Sequence, residues 1–277
     1  MPDFSPSWSR AARAEIAHDA TALSTKVVVI SLPDATERRA AFSARACGVG
    51  LDWRFFDAGR GLGLNLTYDP DEAIVSKGRP LSPGELGCYA SHYAAWMTFL
   101  ETRASQLVVL EDDTIVDWTF LEKLARIDLQ ASGISFLRLF AMDPGPCRRV
   151  QANAIEFQRH LIEYVDRVFG AQAYAITRAG AERLILHCQA VRRPIDDELD
   201  RSWVHGLPNL CIFPFPVIAQ SGVSTIGIER YGRHEVPAPL ANRRRRARLT
   251  ELALRAGRRM YGLLPWTKPS VAPLGQP

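Results

Sequence analysis

Residues 106–113 read QLVVLEDD, an apolar run that ends in three consecutive acids, and residues 26–32 read KVVVISL, a second run of the same kind. Short runs rich in Val, Ile and Leu are typical of strands that are buried on both faces of a sheet. We therefore predict strands over 26–32 and 106–110, with Glu111, Asp112 and Asp113 at the carboxyl end of the later strand. Ligands of open α/β sheets bind at that end, so these acids are the first candidates for a functional site.

The segments between the strands carry helix signals. Asp34 and Glu37 have the spacing of a helix-capping pair, and Ser82 with Glu85 gives the strongest helix start in the chain. The same kinds of pattern predict further strands at 53–56, 134–140 and 171–177, and further helices at 118–127 and 179–189. Alternating strands and helices indicate an α/β fold with a mostly parallel central sheet flanked by helices.

The composition of the 277-residue chain is that of a folded globular protein, with 47% hydrophobic and 23% charged residues. No apolar run approaches the roughly 20 residues that a membrane-spanning helix needs, and the N-terminal residues lack the continuous apolar region of a secretory signal. The five cysteines are an odd number without a CxxC pair, which argues against a disulfide framework or a zinc knuckle. We therefore expect a cytoplasmic protein.

The net charge of +4 is unevenly distributed along the chain. Residues 242–259 contain eight arginines and one glutamate, interleaved with Leu249, Leu252 and Leu254. This arrangement predicts a basic amphipathic helix on an anionic membrane surface, which for a cytoplasmic protein is the inner face of the membrane. An RNA-binding tail and a solvated, disordered end are the alternatives, and nucleic acid is the less favoured partner.

Three segments follow from these changes in composition. We expect an N-terminal extension over 1–25, a catalytic domain over 26–236 and a basic C-terminal tail over 237–277. From Pro237 onward Arg, Ala, Leu and Pro dominate, so the tail is expected to be separable from the domain.

The acidic stretch 111–113 has two interpretations on the residues alone. Clustered carboxylates repel one another unless a cation joins them, and hard oxygen ligands suit Mg²⁺ or Mn²⁺, which could in turn hold a diphosphate. Acids that precede a helix can equally form a solvated turn that stabilises the positive end of the helix dipole.

Several motifs occur in one order along the chain: VVVISLPDATERR at 27–39, LSPGELGCYASHYAAW at 81–96, and the acidic stretch after it. Together they resemble glycosyltransferase family 25, over about residues 26–226. Ser31 stands where the family usually carries Asn. The matching residues are Arg38 in the first motif, Gly84–Cys88, Ser91 and His92 in the second, Leu110–Asp113 in the third, and Tyr174, Asp196, Asp197, Gln220 and Ser224–Ile226 downstream.

The resemblance implies a GT-A-type, Rossmann-like nucleotide-sugar fold and an inverting glycosyltransferase. The expected reaction moves a hexose, galactose from UDP-galactose, to a lipopolysaccharide-type or other glycan acceptor, with Mn²⁺ or Mg²⁺ on the diphosphate. A non-catalytic glycan-binding protein on the same fold and a metal-dependent nucleotidyltransferase are the alternatives.

The resemblance also implies roles for individual residues. Asp113, with Glu111, is expected to bind the metal. Inversion needs a base that removes the acceptor's proton, and Asp196 or Asp197 is the candidate. The residues expected to contact the nucleotide sugar are Glu111, Asp112, Ser31, Arg38, Glu85, Ser91 and His92.

Overall fold

The computed structural model describes residues 23–63, 66–220, 235–264 and 267–275. Most of the expected N-terminal extension, and the motif residues Ser224, Thr225 and Ile226, lie outside these ranges. The strands are β1 (Thr25–Ser31), β2 (Trp53–Asp57), β3 (Thr67–Tyr68), β4 (Gln106–Glu111), β5 (Thr114–Val116), β6 (Phe136–Arg138), β7 (Cys147–Gln151), β8 (His160–Tyr164), β9 (Ala173–Thr177), β10 (Ala190–Val191), β11 (Leu210–Phe213) and β12 (Val217–Ala219). The helices are α1 (Thr36–Arg45), α2 (Pro70–Lys77), α3 (Pro83–Leu100), α4 (Trp118–Leu124), α5 (Arg178–His187), α6 (Ile195–Leu199), α7 (Ser202–His205) and α8 (Ala238–Leu263).

The central sheet has eight strands in the order β2-β1-β4-β9-β6-β11-β8-β7. The α/β architecture is confirmed, and the sheet is mixed: six of its strands run in one direction, and β8 and β9 run in the other. Strand β9 runs antiparallel to both β4 and β6, and β8 runs antiparallel to both β11 and β7. All five residues of β9 are buried, so this antiparallel strand has the same continuous apolar sequence that is typical of parallel strands.

Helices cover both faces of the sheet, which gives the three layers of an α/β domain. On one face, Val28 and Ile30 of β1 pack with the aromatic residues of α3 and with α5. On the other face, Val27 and Val29 pack with Phe42 of α1 and Phe120 of α4. Alternate residues of one strand therefore enter different cores, and this explains why KVVVISL is apolar throughout.

The carboxyl ends of three strands meet at one edge of the sheet. Strand β1 is parallel to both β2 and β4, with Ser31 opposite Asp57 and Ile30 opposite Glu111. The chain reaches β2 on one side of β1 and β4 on the other, so the strand order reverses at this point. We call this edge the acidic edge, because it carries residues 111–113, and ligands of open α/β sheets bind at such reversals.

The two predicted helix starts have different outcomes. At α3 the capping pair is confirmed: the Glu85 backbone N–H donates to Ser82 Oγ at 3.3 Å, and the Ser82 N–H donates to Glu85 Oε2 at 2.9 Å. At α1 the predicted helix is present, but the predicted capping pair is wrong, since the helix begins after Ala35 without a side-chain cap. Asp34 instead forms an ion pair with Arg60.

Helix α8 packs on the domain, first against α2. Leu240 contacts Ile74 and Val75. Arg244 donates hydrogen bonds to the carbonyl groups of Ile74 and Lys77 at the end of α2, at 3.1 and 3.2 Å. Carbonyl groups at a helix C-terminus have no partner within the helix, and a cation there also interacts favourably with the helix dipole.

The rest of the inward face of α8 is held by ion pairs. Glu251 pairs with Arg201 at 3.2 Å, Arg255 pairs with Asp166 at 2.7 Å, and Arg258 pairs with Glu163. Beyond the helix, Leu274 is fully buried in the core. The segment after residue 237 is therefore in contact with the domain, and ion pairs leave no hydrophobic pattern by which the sequence could reveal this docking.

The outward face of α8 carries apolar residues and arginines together. Leu249, Leu252 and Met260 are 58%, 48% and 72% exposed. Arg245, Arg246 and Arg248 are also exposed and make no ion pair with the described residues. Among the helices of the described ranges, none combines the length and hydropathy needed to cross a membrane.

Candidate functional site

Asp112 is the most firmly held of the three acids at the acidic edge. It is buried, accepts a hydrogen bond of 2.6 Å from Ser31 Oγ, and pairs with Arg38 Nε at 3.3 Å. Arg39 fixes this arrangement from the next position, since it donates to Ser31 Oγ at 3.1 Å and also pairs with Asp57. Ser31 and Arg38 are expected at the site and lie there, whereas no pattern in the sequence points to Arg39.

Asp113 lies beside this network, and only part of its carboxylate is satisfied by the described residues. Its Oδ1 atom is buried and accepts no hydrogen bond from the described residues. Burial, together with the neighbouring charges of Glu111 and Asp112, raises the pKa of Asp113 to about 7. The backbone carbonyl of Asp113 accepts a hydrogen bond of 2.7 Å from the Gln220 N–H, which places this residue of the predicted motif next to the acids.

Glu111 ends a chain of buried hydrogen bonds. Trp96 Nε1–H donates to Tyr174 Oη at 2.8 Å, Tyr174 Oη lies 2.9 Å from His92 Nδ1, and His92 Nε2 lies 3.3 Å from Glu111 Oε1. Tyr174 is fully buried, and Nδ1 is the acceptor in reach of its hydroxyl proton, so the proton of a neutral His92 is on Nε2 and points at Glu111. His92 has no exposed surface, and it can act on a ligand only through Glu111.

Cys88 joins His92 and Glu111 in a group whose ligand atoms all lie within 4.8 Å of one another. Such a trio could hold a metal ion only if His92 presented a lone pair on Nε2. The hydrogen bond from Tyr174 favours the opposite tautomer. Burial, followed by the charges of Glu111, Asp196 and Asp113, raises the pKa of Cys88 well above its ordinary value, which keeps the thiol protonated.

Glu85 and Ser91 support α3. Arg79 donates to both carboxylate oxygens of Glu85 at 2.7 and 2.6 Å. Burial alone would raise the pKa of Glu85, but the hydrogen bonds from Arg79 and the Ser82 N–H outweigh it and leave the pKa below its ordinary value. Ser91 Oγ donates to the Gly87 carbonyl and accepts from the Gly59 N–H at 3.1 Å. Glu85 and Ser91, which are expected to contact the nucleotide sugar, are therefore already bonded to other groups of the protein.

Gly87 allows the loop after β2 to touch α3. A Cβ atom at this position would lie 2.7 Å from the carbonyl oxygen of Gly59, closer than two such atoms approach in proteins. The hydrogen bond from the Gly59 N–H to Ser91 Oγ needs the same close approach. The glycine of the GELGC motif therefore brings residues 59–61 against the first turns of α3.

Asp196 and Asp197 begin α6 in different environments. Asp197 is 1% exposed and pairs with Lys77. Asp196 is only partly buried, and its Oδ1 accepts from the Asp197 N–H at 2.9 Å. Burial and the charge of Asp197 raise the pKa of Asp196 to about 6, although Lys77 partly opposes this shift. Asp196, Glu111 and Asp113 all act electrostatically on Cys88 of α3, so the start of α6 lies near the acidic edge.

The carboxylates at the acidic edge are suited to bind a hard divalent cation, such as Mg²⁺ or Mn²⁺. Asp113 Oδ1 is a buried carboxylate oxygen without a partner among the described residues, and Glu111 is a partly exposed carboxylate two residues before it in the chain. An orphaned buried carboxylate is costly unless a cation or a hydrogen-bond donor compensates it. Carboxylate oxygens are the ligands that Mg²⁺ and Mn²⁺ prefer.

Comparison with known proteins identifies the family. The family model described as "Glycosyltransferase family 25 (LPS biosynthesis protein)" matches residues 24–199. The chain belongs to glycosyltransferase family 25. The match contains the acidic edge, α3 and α6, and therefore every residue that was expected to form the site.

Relatives within the family differ in their described activity. The human "inactive glycosyltransferase 25 family member 3" is 30% identical over 186 residues, which are 63% of this chain and 31% of that protein. The "procollagen galactosyltransferase 1-A" of Xenopus laevis is 26% identical over 189 residues, 63% of this chain and 30% of that protein. The chain thus spans less than a third of the length of these curated relatives.

One solved structure is similar over part of the chain. It is a glycosyltransferase involved in the glycosylation of the major capsid of PBCV-1, with 12% sequence identity and a TM-score of 0.30 over 57% of this chain and 62% of that chain. A TM-score of this size does not establish a common fold.

Replacement of Tyr174 by Phe tests the chain of hydrogen bonds that ends at Glu111. The change leaves the Trp96 N–H and His92 Nδ1 buried without their partner, and we expect a loss of about 1–3 kcal/mol in the free energy of unfolding, measured with urea. The His92 proton is also released from Nε2, which nitrogen NMR of the ring can detect.

Tyr89→Phe is the matched control, because Tyr89 is equally buried but its hydroxyl makes a single bond, to the Cys188 carbonyl at 3.0 Å. We expect a smaller loss of stability and no change at His92. Equal effects of the two substitutions on stability and on the His92 ring would contradict the chain.

Proposed function

We propose that this protein is an active, inverting hexosyltransferase that uses a UDP-sugar, galactose being the expected sugar, and a glycan acceptor. The observation that carries the proposal is the buried, unpartnered Asp113 Oδ1 next to Glu111 at the acidic edge of a family 25 fold. The expected role of Asp113 and Glu111 is to hold Mn²⁺ or Mg²⁺, which neutralises charge on the departing diphosphate.

The neighbouring residues prepare this edge for a nucleotide sugar. Ser31 and Arg38 hold Asp112 in one orientation, and His92 does the same for Glu111. Preorganised groups of this kind lower the reorganisation needed when charge develops in a transition state. In this proposal Asp112 or Glu111 faces the ribose of the nucleotide, while Ser31, His92, Ser91 and Glu85 are positioning residues that act through their neighbours.

Asp196 is the better candidate for the base. Inversion by one displacement requires a carboxylate that accepts the proton of the attacking hydroxyl. Asp197 is buried and already paired with Lys77, whereas Asp196 is partly exposed. A raised pKa also makes the Asp196 carboxylate a stronger base than an ordinary aspartate.

Some of the named relatives support galactose as the donor sugar, and another is described as inactive. Galactose as the transferred sugar rests on the procollagen galactosyltransferases among the relatives. An inactive family member of similar identity shows that membership of the family alone does not establish turnover. Activity therefore has to be measured directly.

Release of UDP from UDP-galactose in the presence of Mn²⁺ is the expected activity, measured with and without glycan acceptors. Asp113→Asn should reduce the rate by at least about 100-fold, because the carboxylate proposed to hold the metal at the departing diphosphate is lost. Asp52→Asn is the control, since Asp52 is exposed and pairs only with Arg54. Pyrophosphate release from a nucleoside triphosphate would favour a nucleotidyltransferase, and glycan binding without UDP release would favour a non-catalytic protein.

The pH dependence of transfer tests Asp196 as the base. With a pKa of about 6, Asp196 is protonated below that pH, so kcat/KM should fall about tenfold per pH unit as the pH drops below 6. The groups that act on Asp196 are Asp197 and Asp200 in its own segment, Lys77 of α2 and Cys88 of α3.

Lys77→Met removes the cation that opposes the shift, and we expect the acid limb of the profile to move to higher pH. Asp196→Asn should abolish transfer at every pH. An acid limb that stays in place in both variants, with activity retained in Asp196→Asn, would exclude Asp196 as the base.

The outward face of α8 is proposed to lie on an anionic membrane surface. It combines exposed leucines with Arg245, Arg246 and Arg248, and cations next to an apolar stripe are typical of helices that lie in the membrane interface. This places the protein at the inner face of the membrane, where lipid-linked glycan acceptors would be within reach.

Co-sedimentation with vesicles of phosphatidylcholine and phosphatidylglycerol tests this surface. Changing Arg245, Arg246 and Arg248 to Gln should weaken binding by about 100-fold at low salt, because each arginine near such a surface contributes about 1 kcal/mol. Changing the exposed Arg126, Arg149 and Arg192 to Gln alters the net charge equally and serves as the control. Equal loss in both triple variants would show that net charge, and not α8, is responsible.

A further inference from the structure

Residues 165–172, between β8 and β9, form a loop at the acidic edge; we call it the rim loop. The Gln172 carbonyl accepts a hydrogen bond of 2.8 Å from the Glu111 N–H, which joins the loop directly to the acids. Phe169 and Gly170 both have positive φ, +53° and +88°. A phenylalanine rarely adopts this left-handed conformation, and residues held in it concentrate at ligand sites.

A buried ion pair holds the rim loop in this conformation. Asp200 Oδ2 accepts from the N–H groups of Val168 and Phe169 at 3.0 and 2.7 Å, and Asp200 Oδ1 pairs with Arg138 at 2.8 Å. Both members of the pair are at most 1% exposed. The backbone of the loop is therefore fixed at Val168 and Phe169 before any ligand arrives.

Two cations and a buried carboxylate surround the Phe169 ring. Arg167 Cζ lies 5.4 Å and Lys77 Nζ 5.9 Å from the ring centroid, within the range of a cation–π interaction. Lys77 pairs with Asp197, while Arg167 Nη1 stays 3.8 Å from Asp197 Oδ1, beyond hydrogen-bond distance. Because Arg167 and Asp197 do not form a hydrogen bond with each other, each side chain can still bond to a ligand.

Unpartnered polar atoms are concentrated around this loop. The described residues contain five buried side-chain N or O atoms without a hydrogen-bond partner: Asp113 Oδ1, Arg167 Nε, Gln172 Oε1, Asp197 Oδ1 and Trp203 Nε1. Two of them, on Arg167 and Asp197, belong to the groups around Phe169, and a third, Gln172 Oε1, lies against the adjacent Gly170. Buried polar atoms in native proteins are nearly always bonded, so a group of three indicates a place where a polar ligand or water binds.

We propose that Arg167, Phe169, Gln172 and Asp197 form a subsite for a pyranose ring of the acceptor glycan. This inference rests on the proposed function. A sugar has hydroxyl groups that both donate and accept, which matches one N–H donor and two oxygen acceptors, and its C–H face packs on an aromatic ring.

The position of the subsite distinguishes acceptor from donor. Asp113, the proposed metal ligand, follows the end of β4. Asp197 and Arg167 adjoin Asp196, the proposed base: the Asp197 N–H donates to Asp196 Oδ1 at 2.9 Å, and Arg167 Nη1 lies 3.8 Å from Asp197 Oδ1. A base must touch the acceptor hydroxyl while the diphosphate is at the metal, so groups that adjoin the base face the acceptor.

Saturation-transfer NMR with methyl glycosides of glucose, galactose and N-acetylglucosamine tests the subsite, with UDP and Mn²⁺ present. We expect the wild-type protein to bind at least one glycoside. Arg167→Met should weaken that binding by tenfold or more and raise the KM for the same glycoside as acceptor, since hydrogen bonds from a charged group are lost. The KM for UDP-galactose and the rate of its hydrolysis by water should stay within about twofold.

Phe169→Asn is the second variant, because asparagine tolerates the left-handed backbone while the ring is removed. It should lose glycoside binding and keep UDP binding. Arg149→Met, at an exposed arginine of β7, is the matched control and should change neither.

Three results would overturn the subsite: a wild-type protein that hydrolyses the donor but binds no glycoside, variants that bind the glycoside as the wild type does, or variants in which the KM for UDP-galactose rises instead. Failure of the wild-type protein to bind UDP or hydrolyse the donor is a different result, which overturns the proposed function itself.

Discussion

Three adjacent carboxyl groups at the end of β4 repel one another, and much of the surrounding structure compensates that repulsion. Asp112 is neutralised by Arg38 and receives the Ser31 hydroxyl, and Glu111 receives the proton of His92. Among the residues that the structure describes, Asp113 Oδ1 has no such partner. Two of the acids are thus satisfied by these residues and the third keeps a carboxylate oxygen for a ligand, which is the usual difference between supporting and ligand-binding carboxylates.

The compensating groups come from distant parts of the chain, and each is itself held by a second contact. His92 is oriented by Tyr174, which in turn receives the Trp96 N–H; Ser31 is oriented by Arg39. Helix α3 carries both Trp96 and His92, and its start is fixed by Glu85 and Arg79. The residues of the family motif on α3 therefore hold the site in place more than they contact a ligand.

The sequence predicted the parts of this structure that depend on local pattern. The strands at β1 and β4, the acids at the sheet edge and the capped start of α3 all follow from residues close together in the chain. It could not predict that β9 is antiparallel, because a strand buried on both faces has the same composition in either direction. Nor could it predict Arg39, Lys77 or Arg167, since an arginine or lysine gives no sign of which distant carboxylate it will meet.

Helix α8 has its hydrophobic pattern reversed relative to an ordinary surface helix, with ion pairs inside and leucines outside. Salt screens exposed charges far more than buried ones. On the proposed lipid surface, rising ionic strength would therefore detach the outer arginines before it loosens the contacts with Glu163 and Asp166. In that proposal the protein leaves a bilayer and returns to it with its fold intact, so that attachment is reversible and independent of unfolding.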